Sequence, residues 1–116
     1  MGMKKILVVE DNAYNMEVVA VFLESAGYLV KKAKTAEEGI SVAKKELPDL
    51  ILMDISLPLM DGLAATKVLK KDRRTRNIPI LAFTAHAMKE DEEKSFLAGC
   101  DGFIVKPIER KSFLEK

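Results

Sequence analysis

The stretch LILMDISLPLMDG, residues 50–62, is an apolar run that stops on a carboxylate. Leu50, Ile51, Leu52 and Met53 do not alternate with polar residues, so they read as a strand buried on both faces, the kind a parallel sheet carries at its centre. Asp54 ends the run with no cation in the next few residues to pair with it, and a carboxylate beside a buried strand loses hydration. Asp61 adds a second acid, and Pro58 and Gly62 are turn formers that shape the loop beside Asp54. Asp54 is therefore either a local cap or a group that other parts of the chain make chemically useful.

Working outward, three more continuous apolar runs occur: Ile6-Leu7-Val8-Val9, Ile80-Leu81-Ala82-Phe83 and Phe103-Ile104-Val105. A weaker run, Tyr28-Leu29-Val30, passes into Lys31-Lys32 and reads as an edge strand. Segments of helical period lie between them. Residues 13–26 set Val19, Phe22, Leu23 and Ala26 on one side, with Gly27 as a stop. Residues 35–46 open on Thr35 with Glu38 three later, a capping-box pattern, align Ala36, Ile40 and Ala43, and precede Pro48. Residues 63–72 carry Ala65, Val68 and Leu69, with Asp61 as the expected cap. Residues 87–98 are mostly polar, with Met88, Phe96 and Leu97 as the apolar minority and Gly99 at the end. Residues 108–116 begin a last, short helix.

Strand and helix thus alternate five times, which predicts a doubly wound α/β fold with a five-stranded parallel sheet and right-handed crossovers. The common strand order for such a sheet is 2-1-3-4-5, and ligands bind outside the carboxyl ends of the strands near the switch point between strands 1 and 3.

Length and composition fit one domain over residues 1–116: 48% apolar, 32% charged, four prolines and six glycines. The formal net charge of +1 gives no global field for nucleic acid or an anionic membrane. Cys100 is the only cysteine, which excludes an internal disulfide framework, suits a reducing cytoplasmic setting and reads as a small packing residue. No apolar run approaches the roughly 20 residues of a membrane helix, and the start MGMKKILVVE is not a signal peptide. Lys67, Lys70, Lys71, Arg73, Arg74 and Arg76 form a basic run that reads as a solvated helix face, since aromatic interleaving and a recognition helix are both missing.

Each inner strand delivers a polar group to one rim: Glu10 and Asp11 after strand 1, Asp54 at strand 3, Thr84 followed by His86 at strand 4, and Lys106 at strand 5. Asp and Thr are good helix caps, and Asp11 alone is as readily a cap as a ligand. Three carboxylates together, however, resist ionising unless a cation sits among them. Lys106 supplies one charge, and a divalent ion would supply two more. Oxygen ligands in small number suit Mg2+ when a phosphoryl group completes its shell. No glycine-rich phosphate loop follows strand 1, which argues against flavin or dinucleotide binding. A carboxylate can itself accept a phosphoryl group, and Asp54 is the best-placed nucleophile.

VVEDN at 8–12, LMDISLPLMDG at 52–62, FTAHAM at 83–88 and FIVKPI at 103–108 together resemble the receiver domain of two-component response regulators, over essentially the whole chain. The nearest likeness is to DivK-type single-domain regulators, although receivers of hybrid kinases share TAHAM-like segments. Chemotaxis receivers also have the 2-1-3-4-5 order, so topology and family are not independent expectations. The resemblance implies a flavodoxin-like (βα)5 fold and a phosphorylation-dependent switch in a phosphorelay. Asp54 would be the phosphoacceptor, supplied from a phosphohistidine on a sensor histidine kinase or a histidine phosphotransfer protein. Asp11, Asp54 and the backbone carbonyl of Ser56 would ligate Mg2+, with Mn2+ as a substitute, and Glu10 would act through a water. Lys106 and the Thr84 hydroxyl would hold phosphoryl oxygens. Thr84 and Phe103 would form the switch, Phe103 keeping the packing role of the usual tyrosine without its hydroxyl. Ser56 and His86 would flank the attacking water and tune phosphoryl lifetime, or else be ordinary loop residues. Lys106-Pro107 is a junction the family often holds cis.

The implied output is an altered α4-β5-α5 face that binds a downstream protein, with no direct role for nucleic acid or membrane and no turnover of a separate substrate. The rival class is a small phosphatase or phosphotransferase with an aspartyl-phosphate intermediate; such enzymes carry a second Asp two residues after the nucleophile, where this chain has Ser56. The complete acidic, threonine and lysine set argues against a pseudo-receiver. The short last helix is consistent with a trimmed chain, or with a receiver fragment of a hybrid histidine kinase.

Overall fold

The four continuous apolar runs and the weaker fifth become the five strands of one parallel sheet in the computed structural model, which describes residues 4–55, 62–84 and 89–105. The strands are β1 (Lys5–Val9), β2 (Leu29–Ala33), β3 (Leu50–Asp54), β4 (Ile80–Thr84) and β5 (Gly102–Val105), in the order β2-β1-β3-β4-β5. Helices α1 (Ala13–Ser25), α2 (Ala36–Glu46), α3 (Gly62–Lys71) and α4 (Lys89–Ala98) connect them. The last expected helix, 108–116, lies outside the described residues.

Alternate strand residues feed two cores, one on each face of the sheet. Leu7, Val9, Ile51, Met53, Ile80 and Ala82 join Ala36 and Ala43 of α2 and Ala65 and Leu69 of α3. Ile6, Val8, Leu52, Phe83 and Ile104 join Met16, Val19 and Leu23 of α1. Each fully buried aliphatic side chain contributes about 1.5–3 kcal/mol, so the central strands dominate stability. The edge strand β2 does not fade at Lys31-Lys32. It pairs with β1 through Val9↔Ala33, because the ladder bonds are backbone bonds that lysine provides as well as valine.

Helix faces follow the sequence with one-step corrections. Val19 and Leu23 of α1 are buried as expected, joined by Met16 and Ala20, while Phe22 is half-buried and Ala26 is the exposed C-cap. Gly27 takes a left-handed φ of 96° just beyond it. In α2, Gly39 is buried alongside Ala36 and Ala43, and Ile40 is half-buried. The Thr35 hydroxyl accepts the Glu38 amide at 3.0 Å, and the Glu38 carboxylate reaches back to the Lys34 amide at 2.6 Å. In α3, Val68 turns outward and Thr66 takes its place in the core, its hydroxyl donating to the Gly62 carbonyl at 2.8 Å. Thr66 also lies 3.8 Å from the buried Cys100 sulfur, whose thiol burial pushes up in pKa, in keeping with a packing role. In α4 the expectation inverts: Ser95 and Ala98 are buried, and Phe96 and Leu97 face solvent. Small side chains let this helix lie close to its neighbours, and helical spacing then sends residues 96 and 97 outward.

Leu47 ends α2 in the left-handed region, at φ 47° and ψ 61°, with its amide donating to the Ala43 carbonyl. A branched residue is strained there, and the side chain is largely exposed. Leu47→Gly is therefore expected to raise unfolding free energy by about 0.5–1 kcal/mol in urea titrations.

Two cations of the basic run are tied to acids among the described residues. Lys70 donates to the Ile78 carbonyl and to the Asp101 carboxylate, both at 2.9 Å, bracing α3 against the entrances of β4 and β5. The Arg74 side-chain and backbone donors grip Asp72, with Lys44 of α2 3.5 Å away, and hold its carboxyl down at about 2. The folded pKa is depressed, so this contribution to stability is complete above the unfolded value near 4 and is lost as pH falls toward 2. Urea midpoints of Asp72→Asn and the parent should accordingly converge across that window.

Candidate functional site

The register decides what meets at the rim. Val9 pairs with Met53, so the next residues, Glu10 and Asp54, stand side by side where β1 and β3 end. Both continue the side of the sheet that Val8 and Leu52 present to α1. The Glu10 amide donates to the Ala33 carbonyl at 3.0 Å and the Ile55 amide to Phe83 at 3.3 Å, fixing both strand exits. Glu10 and Asp54 are 1% and 2% exposed, whereas Asp11 is exposed. Carboxylate oxygens of Glu10, Asp11 and Asp54 all lie within 4.8 Å of one another.

Asp11 is not the cap of α1. Asn12 is, accepting the Asn15 amide at 2.9 Å while its own amide donates to Glu10 at 3.1 Å. The neighbouring asparagine thus satisfies the helix end and leaves Asp11 to the acidic cluster. Three oxygens-only ligands, two buried and one open to solvent, suit a hard divalent cation that keeps part of its shell for water or phosphoryl oxygen. Such an ion would offset the mutual repulsion of three carboxylates at this spacing.

Gly62, expected as turn chemistry, does something else. It is the first residue of α3, and a Cβ there would overlap the Asp54 carbonyl oxygen and come within 2.9 Å of the Asp54 carbonyl carbon and Ile55 Cα. The glycine lets α3 begin directly against the backbone that carries Asp54.

Thr84 closes β4 next to Val105, with its side chain outside the described atoms. Phe103 is half-buried against the core shared with α2 and α3, opposite Ala82. Ser56, Asp61, His86, Lys106 and Pro107 lie outside the described residues. A cleft of about 400 Å³ continues from Glu10 and Asp11 between α1 and α2, with Lys32 and Lys34 on its wall. Lys32 is signalled in the sequence only as the polar end of the weak second strand, and Lys34 not at all.

The chain belongs to the response regulator receiver domain family, whose model matches residues 6–116. Receiver domains are the signalling switches of two-component systems, and the expected family and strand order are both borne out. The chain is 44% identical over 112 residues to the polar-differentiation response regulator DivK of Brucella ovis, covering 97% of this chain and 91% of that one. DivK of Brucella melitensis gives the same identity and coverage. The receiver domain of the sensor histidine kinase PA1611 from Pseudomonas aeruginosa superposes with a TM-score of 0.91 at 34% identity, over 98% of this chain and 93% of that one. That structure has a magnesium ion coordinated in its active-site cleft. Vibrio cholerae chemotaxis protein CheY4 superposes with a TM-score of 0.91 at 29% identity, over 98% and 95%. Among the described residues no helix is long and apolar enough to cross a membrane.

Proposed function

We propose that the 116 residues act as a single receiver in a cytoplasmic phosphorelay, accepting a phosphoryl group on Asp54 with Mg2+ and then binding a protein partner. The observation that carries this reading is the buried Asp54 carboxylate at the end of the central strand, with Glu10 and Asp11 oxygens within 4.8 Å. Asp11, Asp54 and the Ser56 carbonyl would hold the metal, and Glu10 would support it through a water. Bound Mg2+ neutralises charge between the acidic cluster and the incoming phosphoryl oxygens.

In the transfer, an Asp54 carboxylate oxygen attacks the phosphorus of a phosphohistidine. The P–N bond breaks, its electron pair leaves with the imidazole, and an acyl phosphate remains on Asp54. Lys106 and the Thr84 hydroxyl take the other phosphoryl oxygens. Thr84 and Phe103 then pass the change to the α4-β5-α5 face, while Ser56 and His86 set how readily water attacks. The sensor kinase or phosphotransfer protein must approach the rim, where Tyr14, Val18 and Val21 form an exposed apolar stripe on α1 starting three residues after Asp11. The likeness to the PA1611 receiver supports a second reading, the receiver piece of a hybrid histidine kinase.

Intact mass after incubation with acetyl phosphate tests the proposal. One phosphoryl adduct is expected with Mg2+ and none after EDTA. An adduct indifferent to metal, or none at all, would reject it. Steady phosphate release from unrelated phosphomonoesters would favour the phosphatase class instead.

A further inference from the structure

The basic run leaves a residue of charge that the switch does not use. Lys70 and Arg74 are tied to Asp101 and Asp72, whereas Lys67, Lys71, Arg73 and Arg76 are exposed with no acidic partner among the described residues. Lys67 is one wall of a groove between α3 and α4, and Lys94, equally exposed and unpaired among the described residues, is the other. Leu63, Ala64 and Ala98 floor the groove, whose volume is about 360 Å³. Leu97 stands at its edge at 86% exposure, the most exposed of the described large hydrophobics.

Glu92 and Glu93, the acids of α4 with described side chains, are not part of the lining. A single exposed leucine is ordinary, but one that extends an apolar floor between two cations with no acidic partner among the described residues is a shaped surface. The helix ridges explain its form: residues 63, 64 and 67 of α3 and 94, 97 and 98 of α4 repeat at helical spacing, so two stripes face one another along the groove. Lys67 and Lys94 can each lay an apolar stem on the floor while keeping the ammonium at the rim.

We propose that the α3–α4 groove is a docking site for an acidic, amphipathic peptide segment of a partner protein. Its carboxylates would meet Lys67 and Lys94, and an aliphatic or aromatic anchor would sit between Leu63 and Leu97. Charge complementarity selects the acidic partner, and the apolar floor selects a side-chain anchor over a plain polyanion. None of the residues that line it belongs to the acidic cluster of Glu10, Asp11 and Asp54.

Fluorescently labelled synthetic peptides test it, each with a central Leu-Phe pair flanked by glutamates, alongside counterparts with every glutamate replaced by lysine. Saturable anisotropy is expected for the acidic set only. It should weaken about tenfold in Lys67→Glu/Lys94→Glu and about as much in Leu97→Ser, since each charge pair and the anchor carry comparable shares. Amide shift changes should be confined to α3 and α4. Equal binding of both peptide sets, no saturation by the acidic set, or shifts centred elsewhere would overturn the proposal. Binding of an oligonucleotide that ignores Leu97→Ser, or self-association abolished by Leu97→Ser in sedimentation runs, would also overturn it by assigning the surface to a polyanion or to a second copy. Circular dichroism of both surface variants should match the parent.

Discussion

Asp54→Asn is expected to bring phosphoryl incorporation below detection and at the same time to make the metal-free protein harder to unfold. The first effect follows because an amide oxygen is a poor nucleophile and cannot hold the acyl phosphate. The second is an electrostatic consequence of the cluster, in which Asp54 shares a space of 4.8 Å with two other carboxylates. Removing one negative charge at that separation relieves its repulsion with the two that remain. Urea titrations in EDTA should therefore place the variant above the parent. Added Mg2+ should close the gap, because the ion stabilises the parent's three acids more than the variant's two. A variant less stable than the parent in EDTA would mean that Asp54 is held by attractive contacts that outweigh its acidic neighbours.

Gly62→Ala should be the most damaging small substitution near the site. Alanine ordinarily gains up to about 1 kcal/mol over glycine in a helix, and somewhat less at a first turn. Here the added methyl meets the Asp54 carbonyl group and Ile55 Cα, which are backbone atoms and cannot rotate aside as a side chain would. Overpacking against a buried strand end costs about 3 kcal/mol, so the clash wins. The thermal midpoint should fall by about 15 °C for a domain of this size. Phosphorylation of the surviving folded protein should slow by about tenfold, because the start of α3 and the Asp54 backbone cannot both keep their positions. An unchanged midpoint would show that α3 can start farther from β3 without loss.

The sheet was legible because its strands are unbroken apolar runs, and a run such as Ile51-Leu52-Met53 has no reading on an exposed surface. The candidate site was legible for a related reason: Glu10, Asp54 and Thr84 each end such a run, and parallel strands bring those ends to one rim. Neighbour geometry was less legible. Nothing in the letters distinguishes Asp11 from Asn12 as the cap of α1, since both are good caps, and only the hydrogen bond to Asn15 decides. Gly62 read as a turn because a sequence shows conformational freedom more readily than a close approach across eight residues. In α4 the apolar residues are the wrong guide, because the packed face is made of Ser95 and Ala98. Where helices approach closely, small size decides burial before hydrophobicity does.

The central claim, that the phosphoryl group is carried by Asp54, is tested most directly by chemical mapping of the acceptor. Protein phosphorylated with acetyl phosphate and Mg2+ is reduced with borohydride, which converts an aspartyl phosphate to homoserine, and is then sequenced by peptide mass spectrometry. Homoserine at position 54 alone is the expected result. Conversion at Asp11 or Asp61, or a stable phosphate left on His86, would contradict it.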